Sequence, residues 1–169
     1  FRKDEMKIGV LAIDPTSPFT GGAILGDRIR MRNHYLDQNI FIRSLGTRGV
    51  HGGLSRIIGT AINLMSSFGF EIIIVETVGV GQSEIEAASM VYLFVLLMLP
   101  HAGDELQGIK KGILEMADLV LINKADGLLK KDAKKTLREF SGAKNYTVEA
   151  QELASKDFLC CSAFNNEGV

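Results

Sequence analysis

The string Asn123-Lys124-Ala125-Asp126 follows directly on the apolar run Leu119-Val120-Leu121-Ile122 and brings an amide, a long cationic stem and a carboxylate together. Those groups suit a guanine base. A carboxylate in the place of Asp126 accepts both N–H donors on the Watson-Crick side of guanine, while the Asn123 amide meets its carbonyl or a ring nitrogen and the Lys124 stem covers the ring. Adenine lacks that pair of donors and would leave the carboxylate buried without a partner, which is costly. By itself the string also suits an ordinary strand-to-helix turn in which Asp126 is the N-terminal cap. A second piece, Ser162-Ala163-Phe164, follows the last apolar run and would set backbone N–H groups on the guanine carbonyl. Asn123, Lys124, Ala125, Asp126, Ser162, Ala163 and Phe164 together form a candidate base site, and it is their order and shared strand-end position that carry weight.

A different chemistry is written in Ile72-Ile73-Ile74-Val75-Glu76-Thr77-Val78-Gly79, an apolar strand ending in a carboxylate with a glycine three residues on. In phosphate-handling switch proteins a carboxylate there faces Mg²⁺, often through water, and the glycine N–H approaches the γ-phosphate. Asp14 closes the first apolar run, and Asp27 with Arg28 and Arg30 follows a glycine-rich segment. Carboxylates at these points would face a metal, and an arginine would meet phosphate charge. Each of them singly also reads as a turn residue or a solvated arginine. Gly79-Val80-Gly81-Gln82-Ser83-Glu84 is not a dinucleotide fingerprint, because its sixth position is Glu84 in place of glycine or alanine. His34, His51 and His101 are scattered and form no metal-binding tract of the kind a nickel-insertion GTPase would want.

Such residues need strands to carry them. Apolar runs recur at 8–13, 40–42, 72–75, 91–99, 119–122 and 158–161, mostly continuous instead of alternating, as in strands of a parallel sheet covered on both faces. Between them Leu54, Ile57, Ile58, Ala61, Leu64, Met65 and Phe68 form one stripe at helical spacing and stop at Gly69. Ser83-Glu84-Ile85-Glu86 has capping-box form, Asp104 and Gln107 open a helix with Leu106, Ile109, Ile113 and Met116 on one face, and Leu129, Ala133, Leu137 and Phe140 mark a fourth. Strands alternating with helices predict an α/β, doubly wound, mostly parallel sheet with ligands at the carboxyl ends of its strands.

The chain has 169 residues, 46% of them hydrophobic, a formal net charge of -1 and two cysteines. One domain with one core is the expectation. The charge supplies no long-range field toward nucleic acid or an anionic membrane, and no apolar run reaches membrane-spanning length, so neither is an expected partner. Cys160 and Cys161 are adjacent, read as buried strand residues, and fit a reducing compartment such as the cytoplasm, or the mitochondrial matrix in a eukaryote. Lys130, Lys131, Lys134 and Lys135 read as a solvated helix face.

Three stretches together, Val75 to Glu84, Leu99-Pro100-His101-Ala102-Gly103-Asp104-Glu105-Leu106-Gln107-Gly108-Ile109-Lys110-Lys111-Gly112 and Asn123 to Gly127, resemble the MeaB/ArgK-type GTPases, the chaperone GTPases associated with methylmalonyl-CoA mutase. The likeness runs from about Ile8 to the C-terminus. It implies a three-layer P-loop NTPase-like fold and a GTP-binding, GTP-hydrolysing, metallochaperone-type switch that helps an adenosylcobalamin-dependent acyl-CoA mutase to load or protect its cofactor. It implies GTP/GDP and Mg²⁺ as ligands, with Asp27 in switch I, Glu76 opening switch II and Asp14 a further metal-facing acid. Residues His101 to Gly112 resemble an additional switch loop, with Lys110 a candidate beside Arg30 for stabilising phosphate charge or, for Lys110, for contacting the partner. A solvated helix face is the plainer reading of Lys110 and Lys111. Tyr92 and His101 stand where Asp and Gly are expected in relatives.

No G-x-x-x-x-G-K-[ST] string occurs in the 169 residues, so the lysine and hydroxyl of a phosphate-binding P-loop are not among them. The resemblance places that loop upstream of Ile8 and a set of dimerising helices downstream. The expectation is therefore a single GTPase domain over 1–169, truncated before the P-loop and short of those helices, and homodimeric at full length. The other reading is a non-hydrolysing binding module that keeps only switch surfaces. Without the N–H cradle and lysine of a P-loop, this chain is expected to bind GTP far more weakly than relatives that carry one, since several charge-assisted hydrogen bonds of roughly 1.5–3 kcal/mol each are missing. Calorimetric titration with GTP and Mg²⁺ checks this, and micromolar binding with turnover would contradict it.

Overall fold

The computed structural model describes residues 4–14, 31–34, 36–46, 53–77, 82–100, 111–142 and 157–169, except the side chains of 14, 53–55, 82–84, 111–112 and 141–142. It forms two compact units, Phe1–Val91 and Tyr92–Val169.

In the first unit, β1 (Ile8–Asp14), β2 (Ile40–Gly46) and β3 (Ile72–Thr77) make a parallel sheet in the order β2-β1-β3. Ile8 stands opposite Ile40 on one side and Ile72 on the other. The middle place falls to the strand that is apolar without interruption. Leu11, Ala12 and Ile13 of β1 are all buried, as a strand covered on both faces requires. The helix α1 (Gly53–Ser67) follows β2, and α2 (Gln82–Ala88) follows β3. Ile13, Ile58 and Ala87 form a buried cluster with Leu45, Ile62, Val75 and Met90 packed against it.

The apolar stripe of α1 is only partly used. Ile58 and Met65 are buried, whereas Ile57, Leu64 and Phe68 are exposed at 48%, 57% and 69% among the described residues. The inward line is thus Ile58 and Met65, both buried, with the partly buried Ile62 between them, one edge of the face that the sequence suggested. The stop at Gly69 is borne out: its φ of 78° lies in the left-handed region that favours glycine, and the next N–H, of Phe70, donates to Met65 O at 3.2 Å. Helix α2 begins one residue before Ser83, so Ser83 falls inside its first turn and not at the cap position.

In the second unit, β4 (Val95–Met98), β5 (Leu119–Ile122) and β6 (Asp157–Cys160) pair in parallel in the order β4-β5-β6, with α3 (Lys111–Met116) and α4 (Lys130–Gly142) in the connections. The run 91–99 yields a four-residue strand, whose partner among the described residues, β5, pairs with it from Val95↔Leu119 to Met98↔Ile122. Below the first rung Asp118 closes the ladder: its carboxylate accepts the Phe94 N–H at 2.7 Å and its own N–H donates to Phe94 O at 2.9 Å. Met98, Val120 and Ile122 are buried on one face of this sheet, with Leu114 and Ala117 of the α3 segment and Ala133 of α4. Phe140 of α4 stacks on Phe158 of β6 at 5.4 Å and 13°. On the other face Leu97 and Leu159 are exposed at 64% and 51% among the described residues, so these short strands are less enclosed than β1.

The α/β class holds in both units, since every named strand pairs in parallel and helices intervene in sequence. No helix among the described residues is long and apolar enough to cross a membrane. The core assignment has a direct check. Ile122→Ala, at a fully buried site, is expected to cost about 2–5 kcal/mol, and Leu128→Ala, at a side chain 96% exposed, within about 0.5 kcal/mol. Urea midpoints of the two variants measure this, and equal midpoints would remove Ile122 from the core.

Candidate functional site

The carboxyl ends of β5 and β6 carry the base-site residues named from the sequence. Pairing continues past β5, with the Asn123 N–H donating to Met98 O at 2.9 Å. The chain then leaves the sheet through Lys124, whose φ of 61° is in the left-handed region. For a side chain with a β-carbon that conformation costs about 1–3 kcal/mol and persists only where neighbouring bonds impose it. Two bonds do so: Lys124 N–H donates to the Asn123 side-chain oxygen at 2.8 Å, and Ala125 N–H donates to Cys161 O at 3.0 Å. Ala125 is buried and the Lys124 side chain is exposed.

This turn delivers Asp126 to the N-cap position of the 3-10 turn Gly127–Leu129, yet its side chain makes no cap hydrogen bond. The plain reading of Asp126 as a capping residue therefore does not describe its carboxylate. Instead Asp126 Oδ2 accepts a short hydrogen bond from the Ser162 hydroxyl. Ser162 is 1% exposed, and its Oγ also accepts the Asn165 N–H at 3.1 Å. Buried hydroxyls need such partners.

From the β6 side, Ala163 N–H reaches Asn123 Oδ1 at 3.1 Å, and the Cys161 thiol lies 3.8 Å from the same oxygen as a weak donor. The Ser162 N–H goes to Glu167 O at 2.8 Å, with the reverse bond at 3.1 Å. So the Ser162 and Ala163 N–H groups, expected on a guanine carbonyl, have acceptors within the protein. Phe164 is 93% exposed.

Asn123 Oδ1 and Asp126 Oδ2 are thus held by one loop, leaving the Asn123 amide nitrogen and the second Asp126 oxygen as the groups that would read a ligand. A cleft of about 170 Å³ adjoins this loop, lined by Ala125, Cys161 and Ser162 and, from α4, by Lys130 and Lys134. Asn123 and Asp126 do not line it, so base recognition would be a surface at the strand ends and not this cleft. Lys130 and Glu167 meet across it at 4.0 Å, a half-exposed pair of little energetic consequence. Both cysteines are free. Cys160 is a strand residue and Cys161 lies just beyond the strand, and burial pushes both thiols up from their ordinary range, so they stay protonated at neutral pH.

The metal and phosphate candidates belong to the other unit. Glu76 sits near the end of β3, opposite Ala12 of β1, and its Oε2 is shielded from solvent. Asp14 ends β1, two residues beyond that rung, and its side chain lies outside the described residues. Asp27, Arg30, Gly79 and Lys110 also lie outside them. Among the described residues no cluster of three or more His, Cys, Asp or Glu would hold a metal. Reading the sequence missed Cys161, Asn165, Glu167 and Gly168 as parts of the base-site loop. Asn165-Asn166-Glu167-Gly168 does carry a turn signal, and the bridge it closes, between Ser162 and Glu167, is local; what the sequence does not display is that this loop meets Asn123 and Asp126 beyond β5.

With that geometry in hand, the chain was compared with known proteins. The profile of the family described as "Methylmalonyl Co-A mutase-associated GTPase MeaB" matches residues 1–169. A mouse protein named "Methylmalonic aciduria type A homolog, mitochondrial" is 45% identical over 163 residues, 96% of this chain and 39% of the relative. A Mycobacterium tuberculosis relative, named as a probable GTPase, is also 45% identical over 163 residues, covering 96% of this chain and 48% of its own length. The chain thus spans half or less of these curated relatives. Among solved structures, a LAO/AO transport system kinase aligns with a TM-score of 0.70 at 32% identity, over 99% of this chain and 47% of that one. HypB from Helicobacter pylori, solved in complex with nickel, aligns with a TM-score of 0.54 at 17% identity over 94% of this chain and 67% of its own, a likeness of fold alone.

The loop that closes the site can be tested at one atom. Gly168 has a φ of 66°, and a β-carbon there would stand 2.9 Å from Cys160 O, a backbone atom that cannot step aside. Gly168→Ala is expected to cost about 1–3 kcal/mol. Thermal unfolding reads the loss, and an unchanged midpoint would show that the loop does not need this conformation.

Proposed function

This chain belongs to the methylmalonyl-CoA mutase-associated GTPase MeaB family and has the P-loop NTPase-like α/β fold, and on that premise we propose that its second unit reads the base of GTP and GDP. The observation that carries the proposal is the shared anchoring of Asn123 and Asp126 by Cys161, Ser162 and Ala163. With Oδ2 bonded to Ser162, Asp126 presents its other oxygen to the N1 and N2 donors of guanine. The amide nitrogen of Asn123 meets an acceptor on the opposite edge, and the exposed Lys124 stem lies along the ring.

The wider function proposed is that of a GTP-hydrolysing switch assisting an adenosylcobalamin-dependent acyl-CoA mutase, methylmalonyl-CoA mutase or a near relative, in cofactor loading or protection. The family description supports the partner class. The chemistry of the proposed donors suits Mg²⁺: Glu76, near the end of β3, and Asp14, at the end of the neighbouring β1, are carboxylates of the kind a hard cation takes, and Asp27 would complete the set. When bound, Mg²⁺ neutralises charge on the phosphates. Gly79 would then approach the γ-phosphate, and Arg30 and Lys110 would share in stabilising its charge.

Base selectivity is the direct test. Asp126→Asn replaces an acceptor with an amide donor, which opposes the guanine N2 donor but suits the carbonyl of xanthine at the same place. The variant is expected to shift preference from GDP toward xanthosine diphosphate by about tenfold or more, the equivalent of one good hydrogen bond. The two ligands carry identical phosphates, so comparative titration isolates the base. An unchanged preference for GDP would remove Asp126 from the site.

A further inference from the structure

One face of the β2-β1-β3 sheet changes character along its length. Residues paired across parallel strands share a face, and every second residue of a strand returns to it. Starting from Ile8, the first rung of this face is Ile40-Ile8-Ile72 and the second is Ile42-Val10-Ile74, both apolar throughout. The third is Ser44-Ala12-Glu76, and only the pair Gly46 and Asp14 lies beyond it. The change to polar groups thus falls near the carboxyl ends of the strands, where sheets of this kind take ligands. Helices α1 and α2 belong to the opposite face, where Ile58 and Ala87 are buried against Ile13 with Leu45 and Val75 beside them.

Within that third rung the Ser44 hydroxyl oxygen is shielded from solvent and has no hydrogen-bond partner among the described residues. A buried hydroxyl left in that condition costs stability, and an alanine or valine would continue the apolar rungs without the cost. Its strand neighbour Ala12 is 1% exposed and contributes only a methyl group, so no bulky side chain stands between Ser44 and Glu76. Two strand spacings separate their Cα atoms by about 10 Å. Across that span a serine hydroxyl meets what a glutamate carboxylate holds through a water, and Mg²⁺ keeps several of its waters when protein carboxylates bind it. We propose that Ser44 is a positioning residue for the divalent cation that Glu76 takes, its hydroxyl accepting a hydrogen bond from a water of the cation's shell. This rests on the reading of Glu76 as a metal-facing acid and adds to it a neutral group from β2, a strand that supplies no acid to the expected set. A hydroxyl suits the place, because it accepts from a metal-bound water without adding a charge to the buried rung.

The role predicts opposite effects with and without metal. Mn²⁺ takes the same hard oxygen donors as Mg²⁺, and its free form is counted directly by electron paramagnetic resonance. Titrated with Mn²⁺ alone, the 169-residue chain is expected to bind it in a way that Glu76→Gln weakens. Ser44→Ala is expected to weaken the same binding about tenfold, as the loss of a group bonded to a metal's ligands does. Its unfolding midpoint in EDTA, by contrast, is expected to equal or exceed that of the unaltered chain, because an unpartnered buried hydroxyl has been removed. Ser44→Thr, which keeps a hydroxyl, is expected to bind Mn²⁺ close to the original affinity. Should Ser44→Ala fail to fold, Ser44→Cys keeps the size with a poor hydrogen-bonding group and carries the same comparison. Mn²⁺ affinity in Ser44→Ala or Ser44→Cys equal to that of the unaltered chain overturns the proposal, and so does a Ser44→Thr affinity no better than that of Ser44→Ala. A midpoint in EDTA that falls together with the affinity also overturns it, since the hydroxyl would then be serving the fold. Glu76→Gln separates the two readings. If it weakens binding and Ser44→Ala does not, the cation reading of Glu76 stands and the proposal falls; if it leaves binding unchanged, the cation reading falls and the proposal with it.

Discussion

The side-chain oxygen of Asn123 joins two strand ends that are 40 residues apart in sequence, accepting from Lys124 on its own strand and from Ala163 beyond β6. What lies around it depends on that junction. The left-handed backbone at Lys124 is tolerated because the Lys124 N–H has this acceptor, and the turn it makes carries Asp126 to the place where Ser162 can donate to its carboxylate. The carbonyl of Asn123 and one oxygen of Asp126 are taken up by bonds within the loop.

The anchoring works because β5 and β6 are parallel neighbours. Parallel strands end at the same edge, so the residues that follow them meet without any loop having to reach across the sheet. The packing beneath keeps this edge in place: Ile122, Ala125 and Ala133 form a buried cluster with Leu137 and Cys160, tying the turn after β5 to α4 and to β6. Ser162 itself is among the most deeply buried polar residues described, which a hydroxyl tolerates only when it is bonded on both sides, as here to Asp126 and Asn165. On the proposed reading, stability and base recognition share the same few atoms.

The first unit is built by the same rule on different residues. β1 lies between β2 and β3 and is buried at Ile8 and at Leu11, Ala12 and Ile13, and Asp14 and Glu76, two of the acids expected to face Mg²⁺, stand at or near the ends of β1 and β3. Membership of the MeaB family agrees with the resemblance seen in the motifs.

Much of this was legible in the residues. Continuous apolar runs marked each of the strands among the described residues, and Ala133, Leu137 and Phe140 marked the buried side of α4, because burial on a sheet or one helix face imposes a local periodicity that a single sequence displays. Asn123, Asp126 and Ser162 were singled out from the sequence as well, and the structure brings them together at the ends of β5 and β6. The length of β4 was not legible, because the apolarity of 91–99 runs beyond the residues that pair with β5. Nor was the buried edge of α1, where seven apolar positions qualified and contact with β1 and β2 selected among them. Sequence alone left Asp126 equally suited to capping a helix and made Cys161 one more apolar strand residue. Only the tertiary structure turned the Asp126 carboxylate to Ser162 and set the Cys161 thiol beside Asn123, because hydrogen bonds between strand ends depend on which strands are neighbours, and that is decided by the packing of the whole sheet.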